Sequence, residues 1–128
     1  MNIEEKIFSV LSADAGVIGA VPIDRIRPPG NWEALDRPYI VHFPVTPQVF
    51  RTHETGSSTL LKIWRYQVSC FAGTYSAAKA LAVLVRAALD NYRTGGINSY
   101  WVGETHVPYE LDVLVQHIAV EFEIADSL

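Results

Sequence analysis

The sequence lacks the features that mark secreted, membrane-spanning or redox-active proteins. It contains one cysteine, Cys70, so no internal disulfide can form, and its place in an apolar strand pattern predicts burial. No apolar run approaches the about 18 residues that a membrane-spanning helix needs. The first residues are acidic and amphipathic, whereas a secretory signal is basic and then apolar. We therefore expect synthesis in a reducing cytoplasm and, at 128 residues, a single domain over 1–128.

Basic residues are absent from the last part of the chain. All ten Lys and Arg residues precede Thr94, where eight Asp and Glu accompany them, and the six remaining acids all follow it. The acidic end is either a solvated edge or a surface on which copies dock head to tail by complementary charge. The net charge of −4 disfavours nucleic-acid binding, which depends on clustered Lys and Arg.

Motifs for catalysis or for metal and cofactor binding are also missing. No two of the four histidines have the spacing of ligands on one helix face or in one tight loop. His42 and His117 occupy strand positions away from the predicted apolar side, where we expect solvated or interface histidines. His53 and Glu54 form at most half of an acid/base pair, without an evident nucleophile. The sequence therefore predicts no catalytic residue, no metal site and no cofactor.

Apolar periodicity predicts two helices. Asn2 is placed to cap the first, which runs from Ile3 to Leu11, and Asp14 can cap one further short turn. Ser76 is placed to cap the second helix, which is rich in alanine and is expected to run to about Tyr92. The side of this helix that should face a sheet consists of Ala77, Leu81, Leu84, Val85, Ala88, Leu89 and Tyr92.

Alternating apolar residues predict four strands, near 39–43, 60–71, 97–104 and 111–124, with the last two joined near Pro108. In the first strand, Tyr39, Val41 and Phe43 form the apolar side. The order of elements predicts an α+β domain with a mainly antiparallel sheet of about four strands and two helices on one face. Residues 46–59 have little pattern and predict a long loop or arm between the first two strands. In the second strand, one face should carry Trp64, Tyr66, Val68 and Cys70.

Taken in order, several segments resemble those of the tail completion, or tail terminator, proteins of tailed phages, prophages and gene-transfer particles. Each segment alone is short and carries no chemical motif. Their order along nearly the whole chain carries the resemblance. The matching stretches are LSADAGV at 11–17, RIRP at 25–28, PYIV at 38–41, YQVSCFA at 66–72, SAAKAL through RAALD within 76–90, and VQHIAVEF at 115–122.

The resemblance implies a structural subunit that forms a ring, usually a hexamer, at the head-proximal end of a tail tube. Its partners would be copies of itself, the tail tube protein and a head-completion or adaptor protein, and DNA would pass through the ring without specific binding. It implies a location in the virion neck after synthesis in the bacterial cytoplasm, with no enzyme activity, cofactor or membrane. Two alternatives remain: a head-completion or adaptor subunit, and a small-molecule-binding domain with a pocket between helix and sheet.

Two groups of residues are candidate contact surfaces. Glu121 and Glu123 share one strand face and are expected to line the channel or the seam between subunits, where they can meet a neighbour's basic residues. Those basic residues are Arg25, Arg27, Arg51 and Arg65. The candidate subunit or partner interface comprises Phe50, Arg51, His53 and Glu54 in the predicted arm, and Lys79, Val83, Arg86 and Ala87 with Ala80 on the outer side of the second helix.

Overall fold

The computed structural model of the protein describes residues 2–28, 38–52, 59–94, 96–110 and 115–127. Within these ranges no helix combines the length and the apolarity that are needed to span a membrane. The helices are α1 (Ile3–Ala13), α2 (Ala15–Ala20) and α3 (Tyr75–Leu89), with a 3-10 turn at Ile23–Arg25. The strands are β1 (Ile26–Arg27), β2 (Tyr39–Thr52), β3 (Thr59–Ala72), β4 (Tyr92–Thr94), β5 (Ile97–Glu110) and β6 (Val115–Ser127).

The described strands form one six-stranded mixed sheet in the order β1-β2-β3-β6-β5-β4. β1 is parallel to β2, and the other neighbours are antiparallel. The architecture is α+β as predicted, but the expectation of about four strands is wrong. The two additional strands, β1 and β4, contain two and three residues, which is too short for an alternating pattern to appear in the sequence.

The predicted long loop at 46–59 is wrong for most of its length. β2 continues to Thr52 and pairs with β3 as far as Thr59, while 53–58 lie outside the described residues. In a sequence, Pro44 and Pro47 indicate the end of the first strand, but both lie inside β2. Beyond Val41, β2 has a described strand on one side only, and the pairing register shifts between Pro44 and Thr46. An edge strand with a bulge tolerates a residue that cannot donate a backbone hydrogen bond.

A proline inside a strand also explains why the predicted junction between the last two strands is misplaced. β5 is longer than expected, β6 starts and ends later than expected, and Pro108 lies inside β5 instead of ending it. The pairing shifts between Val107 and Glu110, and β4 covers β5 only as far as Ser99. Pro108 thus also occupies an irregular edge position.

The predicted caps at the start of the chain are confirmed, and the cap of α3 is not. Asn2 Oδ1 accepts a hydrogen bond from the Glu5 backbone at 2.8 Å, and Asp14 Oδ1 accepts one from the Val17 backbone at 3.0 Å. In α3 the cap is Thr74, whose hydroxyl oxygen lies 3.1 Å from the Ala77 nitrogen, so the helix starts before Ser76. A capping side chain accepts a hydrogen bond from the backbone N–H two or three residues further along the chain, and both Thr74 and Ser76 are residue types that can do so.

α3 also ends earlier than expected, at Leu89 instead of Tyr92. Asn91 adopts a left-handed conformation (φ 59°), which turns the chain directly into β4. Asparagine tolerates this conformation better than most residues because its side chain can bond locally.

The main core lies between the helices and one face of the sheet. As predicted, β3 directs Tyr66, Val68 and Cys70 to this face, and Val120 and Phe122 of β6 lie beside them. The packed side of α3 is rotated from the predicted one, since Ala77 is exposed and Leu84 is only half-buried. The residues that α3 buries are Ala78, Leu81, Ala82, Val85, Ala88 and Leu89.

The apolar side that was predicted for β2 lies on the opposite face of the sheet. Tyr39 and Val41 form a second small cluster with Phe71, while Ile40 joins the main core. The register explains the reversal, because Ile40 is opposite Cys70, which faces the helices. At the start of this strand apolar residues stand on both sides, Tyr39 and Val41 on one and Ile40 on the other, so alternation alone could not decide which side faces inward.

An ion pair joins the two ends of the described chain. Lys6 Nζ in α1 lies 2.5 Å from Asp126 Oδ1 near the end of β6, and their side chains are 18% and 9% exposed. Because water is largely excluded, removal of the lysine would leave a carboxylate that is poorly solvated and unpaired. The pair therefore attaches α1 to the last strand.

We predict that Lys6→Met lowers the free energy of unfolding by about 1–3 kcal/mol, less than a fully buried pair because some solvent contact remains. The matched control is Lys79→Met, which breaks a more exposed pair with Glu104 and should lower the free energy of unfolding by less than Lys6→Met does. Urea denaturation at neutral pH measures both values. Equal losses of unfolding free energy in the two variants would contradict the larger contribution expected from the Lys6–Asp126 pair.

Candidate interaction surfaces

The face of the sheet opposite the helices carries the two predicted acids. Glu121 and Glu123 lie on β6 across from Gln67 and Arg65 of β3. Arg65 Nη1 is 3.5 Å from Glu121 Oε2, a loose pair in which both side chains stay accessible to solvent. The predicted projection of both acids from this face is therefore confirmed. Arg65, which was expected to meet a neighbour's acids, already has an acid beside it in its own chain.

The other end of this face is aromatic and buried, with Tyr39 5%, Val41 4% and Phe71 9% exposed. The ring of Phe71 stacks between Tyr39 at 4.6 Å and His117 at 4.2 Å between centroids. These three residues are direct cross-strand neighbours on β2, β3 and β6. Burial lowers the pKa of His117, and the nearby charge of His106 lowers it further. His117 does lie away from the helices, as predicted, but it belongs to a stacked row and is not a solvated residue.

The outer side of α3 combines exposed apolar residues with charges that bind β5. Val83 is 56% exposed, and Ala80 and Ala87 are exposed beside it. Lys79 Nζ lies 2.5 Å from Glu104 Oε1, a contact that raises the pKa of Lys79. The Arg86 guanidinium lies 3.7 Å from the ring centre of Trp101. The charged row is thus already engaged with its own domain, whereas the row of Val83 is left open to solvent.

The candidate residues of the predicted arm are only partly described. Phe50 and Arg51 are strand residues of β2, paired in register with Leu61 and Leu60. His53 and Glu54 lie outside the described residues, as does any contact between them. Among the described ranges, no group of three or more His, Cys, Asp or Glu side chains is arranged to hold a metal ion.

His42 lies where the sequence did not predict it. It is 1% exposed, faces the helices, and its Nδ1 lies 2.6 Å from the hydroxyl oxygen of Tyr66. Burial lowers the pKa of His42 from 6.5 to about 4, so the ring is neutral at pH 7. The prediction of a solvated or interface histidine is wrong for the reason given for β2, since His42 shares the inward side with Ile40. Its partner Tyr66 had been predicted only as a core residue.

Comparisons with known proteins add a likeness of fold. No protein-family model matches the chain, and a search of curated protein sequences finds no match. Among solved structures, the chain is similar to one from the virion of a native gene transfer agent particle, with a TM-score of 0.72. The two are 17% identical, and the superposition covers 98% of this chain and 95% of the other. The two chains share a fold.

The burial of His42 makes the stability of the fold depend on pH. Below pH 6.5 the unfolded chain binds a proton at this ring, but the folded chain does so only near pH 4. The free energy of unfolding should therefore fall as the pH falls from about 6.5 to 4, by about 2–3 kcal/mol from this residue. His42→Gln, which keeps a hydrogen-bonding group but does not titrate, should reduce this loss in chemical denaturation between pH 4 and 7. An unchanged pH dependence in the variant would contradict the assignment to His42.

Proposed function

We propose that this protein is a structural subunit of a phage-type virion. The observation that carries the proposal is the shared fold with a chain of a gene transfer agent virion over nearly the full length of both chains. The similarity therefore extends over the whole architecture, including the long paired strands and the helices on one face. A partial match to a common substructure would not have this extent.

Within that class we propose the ring-forming role of a tail terminator. The subunit would close the head-proximal end of a tail tube and join it to the head, as a hexamer in the virion neck. Two features support a ring. The exposed row of Val83 on α3 and the charged face of β6 lie on different sides of the molecule, and different surfaces that meet head to tail generate rings when the rotation closes.

The acids of β6 support a place for DNA in this assembly. Glu123 is exposed and Glu121 is partly exposed on a face that the helices do not cover. A carboxylate lining repels phosphate and makes none of the counterion-releasing contacts by which basic residues bind DNA. Such a lining would let DNA pass without adhering. The other use of the same acids is a seam with a neighbour's Arg25, Arg27 or Arg51.

The alternative role on the head side of the same joint fits these surfaces equally well. A head-completion or adaptor subunit would also be a small ring-former with no catalytic site. Binding of the purified protein to isolated tail tubes, compared with isolated portal rings, tests the tail-side role directly. Attachment to tubes and not to portals is the expected result, and the reverse would move the protein to the head side. Phe50, Arg51, His53 and Glu54 remain proposed contacts with these partners.

The exposed row of Ala80, Val83 and Ala87 on α3 can be tested by adding a charge to it. Val83→Glu should abolish the ring while leaving the subunit folded, because a carboxylate would have to be desolvated in the contact but is solvated in the monomer. Ser76→Glu is the matched control, since it adds the same charge at an exposed position on the same helix. Native mass spectrometry and circular dichroism measure the two properties. A ring of unchanged mass in Val83→Glu would remove this row from the interface.

The acidic face of β6 can be tested by reversing its charge. Replacement of both Glu121 and Glu123 by lysine should leave the monomer folded, since neither is in the core, and should impair either assembly or DNA delivery. Failure of the ring to form indicates a seam, whereas a normal ring with slowed DNA delivery indicates the channel. Asp24→Lys, at an exposed acid on the 3-10 turn, is the control for a general effect of added positive charge. Normal assembly with normal delivery would reject both roles.

A further inference from the structure

A cleft of about 450 Å³ lies between the first turns of α1, the end of β1 and the inward side of β2. Its volume is within the range of about 300–1,000 Å³ that is typical of ligand sites. The side chains that matter for its chemistry are Glu4, Glu5, Phe8, Ile26, Pro28 and His42. None of the surfaces assigned so far includes this cleft.

The cleft is negatively charged. Glu4 and Glu5 both line it, and no lysine or arginine is among the described residues that do. Acids in the first turn of a helix are favoured by the helix dipole, which accounts for their presence on α1. The dipole does not account for the apolar cleft that lies beside them. His42 adds no positive charge at pH 7, because its burial keeps the ring neutral.

His42 also brings an unsatisfied polar atom to this cleft. Nδ1 is occupied by the Tyr66 hydroxyl, and Nε2, on the far side of the ring, is buried without a hydrogen-bond partner among the described residues. A buried polar group without a partner destabilises the fold, because it has lost its hydrogen bonds to water without replacement. When Nδ1–H donates to Tyr66, Nε2 is an acceptor. When the Tyr66 hydroxyl donates to Nδ1 instead, Nε2 carries the proton and is a donor; in both tautomers the polar groups that the cleft itself presents are the two carboxylates, over an apolar wall.

We propose that this cleft receives the side chain of a lysine or arginine from a neighbouring polypeptide. The aliphatic stem of such a residue packs against Phe8, Ile26 and Pro28, as long basic side chains do on apolar surfaces. Its charged head donates to Glu4 and Glu5.

The choice of a polypeptide as the source rests on the proposed function, in which this chain assembles with other proteins. The cleft is larger than one side chain and opens to solvent, so it has room for the backbone of the segment that carries the basic residue. A free amine of small size would leave most of the apolar wall uncovered. The chemistry that is recognised, a cation on an apolar stem, is the same for both sources.

The binding test uses the full chain and two probes of nearly equal shape. N-acetyl-arginine methylamide carries the cation, and N-acetyl-citrulline methylamide replaces it with a neutral urea. In amide and imidazole NMR spectra, the arginine probe should cause saturable shifts in the first turns of α1 and at His42, and the citrulline probe should bind at least about fivefold more weakly. Equal binding of the two probes, or shifts located elsewhere, would overturn the cation site.

Variants supply the matched control. Glu4→Gln with Glu5→Gln should weaken the arginine probe at least about fivefold, whereas Asp24→Asn with Glu104→Gln, the same loss of charge at exposed positions that do not line the cleft, should not. Thermal unfolding shows that both double variants remain folded. An equal effect of the two pairs would reduce the site to general electrostatics and overturn it.

Assembly tests the source of the basic side chain. With Glu4→Gln and Glu5→Gln, attachment to a neighbouring subunit or tail partner should be lost in parallel with binding of the probe. Weakened probe binding with fully normal assembly would overturn the polypeptide source. If the wild-type chain binds the arginine probe at this cleft but forms no ring and joins no tail, the proposed function fails while the cation site stands.

Discussion

β3 is hydrogen-bonded to β2 on one side and to β6 on the other, along nearly its whole length. Since successive side chains of a strand point to opposite faces, this double register decides together which described residues of the three strands face the helices. Tyr66, Val68 and Cys70 turn toward the helices, and their partners on β2 and β6 must follow. The core, the burial of His42 and the outward position of Glu121 and Glu123 all depend on this pairing.

On β2 this pairing places a polar residue, His42, on the buried side. Ile40 and His42 face α1 because they share the inward side with Cys70 and Val68. The fold accepts a histidine there by keeping it neutral and bonding it to Tyr66. Its second nitrogen is buried without a partner among the described residues, which is uncommon for a polar group in a folded protein.

The helices cover one face of the sheet; on the other face the charged part around Arg65 and Glu121 is accessible, whereas Tyr39 and Phe71 are buried. That face changes from aromatic, around Phe71, to charged, around Arg65 and Glu121. The sheet edges are less suitable for pairing with another chain, because β2 and β5 both change register next to prolines, along stretches that have a described strand on one side only. Subunits with such edges are better suited to docking through side chains than through continuous strand pairing.

The sequence by itself determined the α+β class, the first helix with its caps at Asn2 and Asp14, the inward face of β3 and the outward projection of Glu121 and Glu123. These features follow from local periodicity and capping chemistry, which depend on neighbours within a few residues. Only the tertiary structure decided which side of β2 is buried, that Pro44, Pro47 and Pro108 lie within strands, and that α1 forms an acidic cleft over His42. Each of these depends on a register, an edge or a contact between residues far apart in the chain, for which a single sequence contains no local signal.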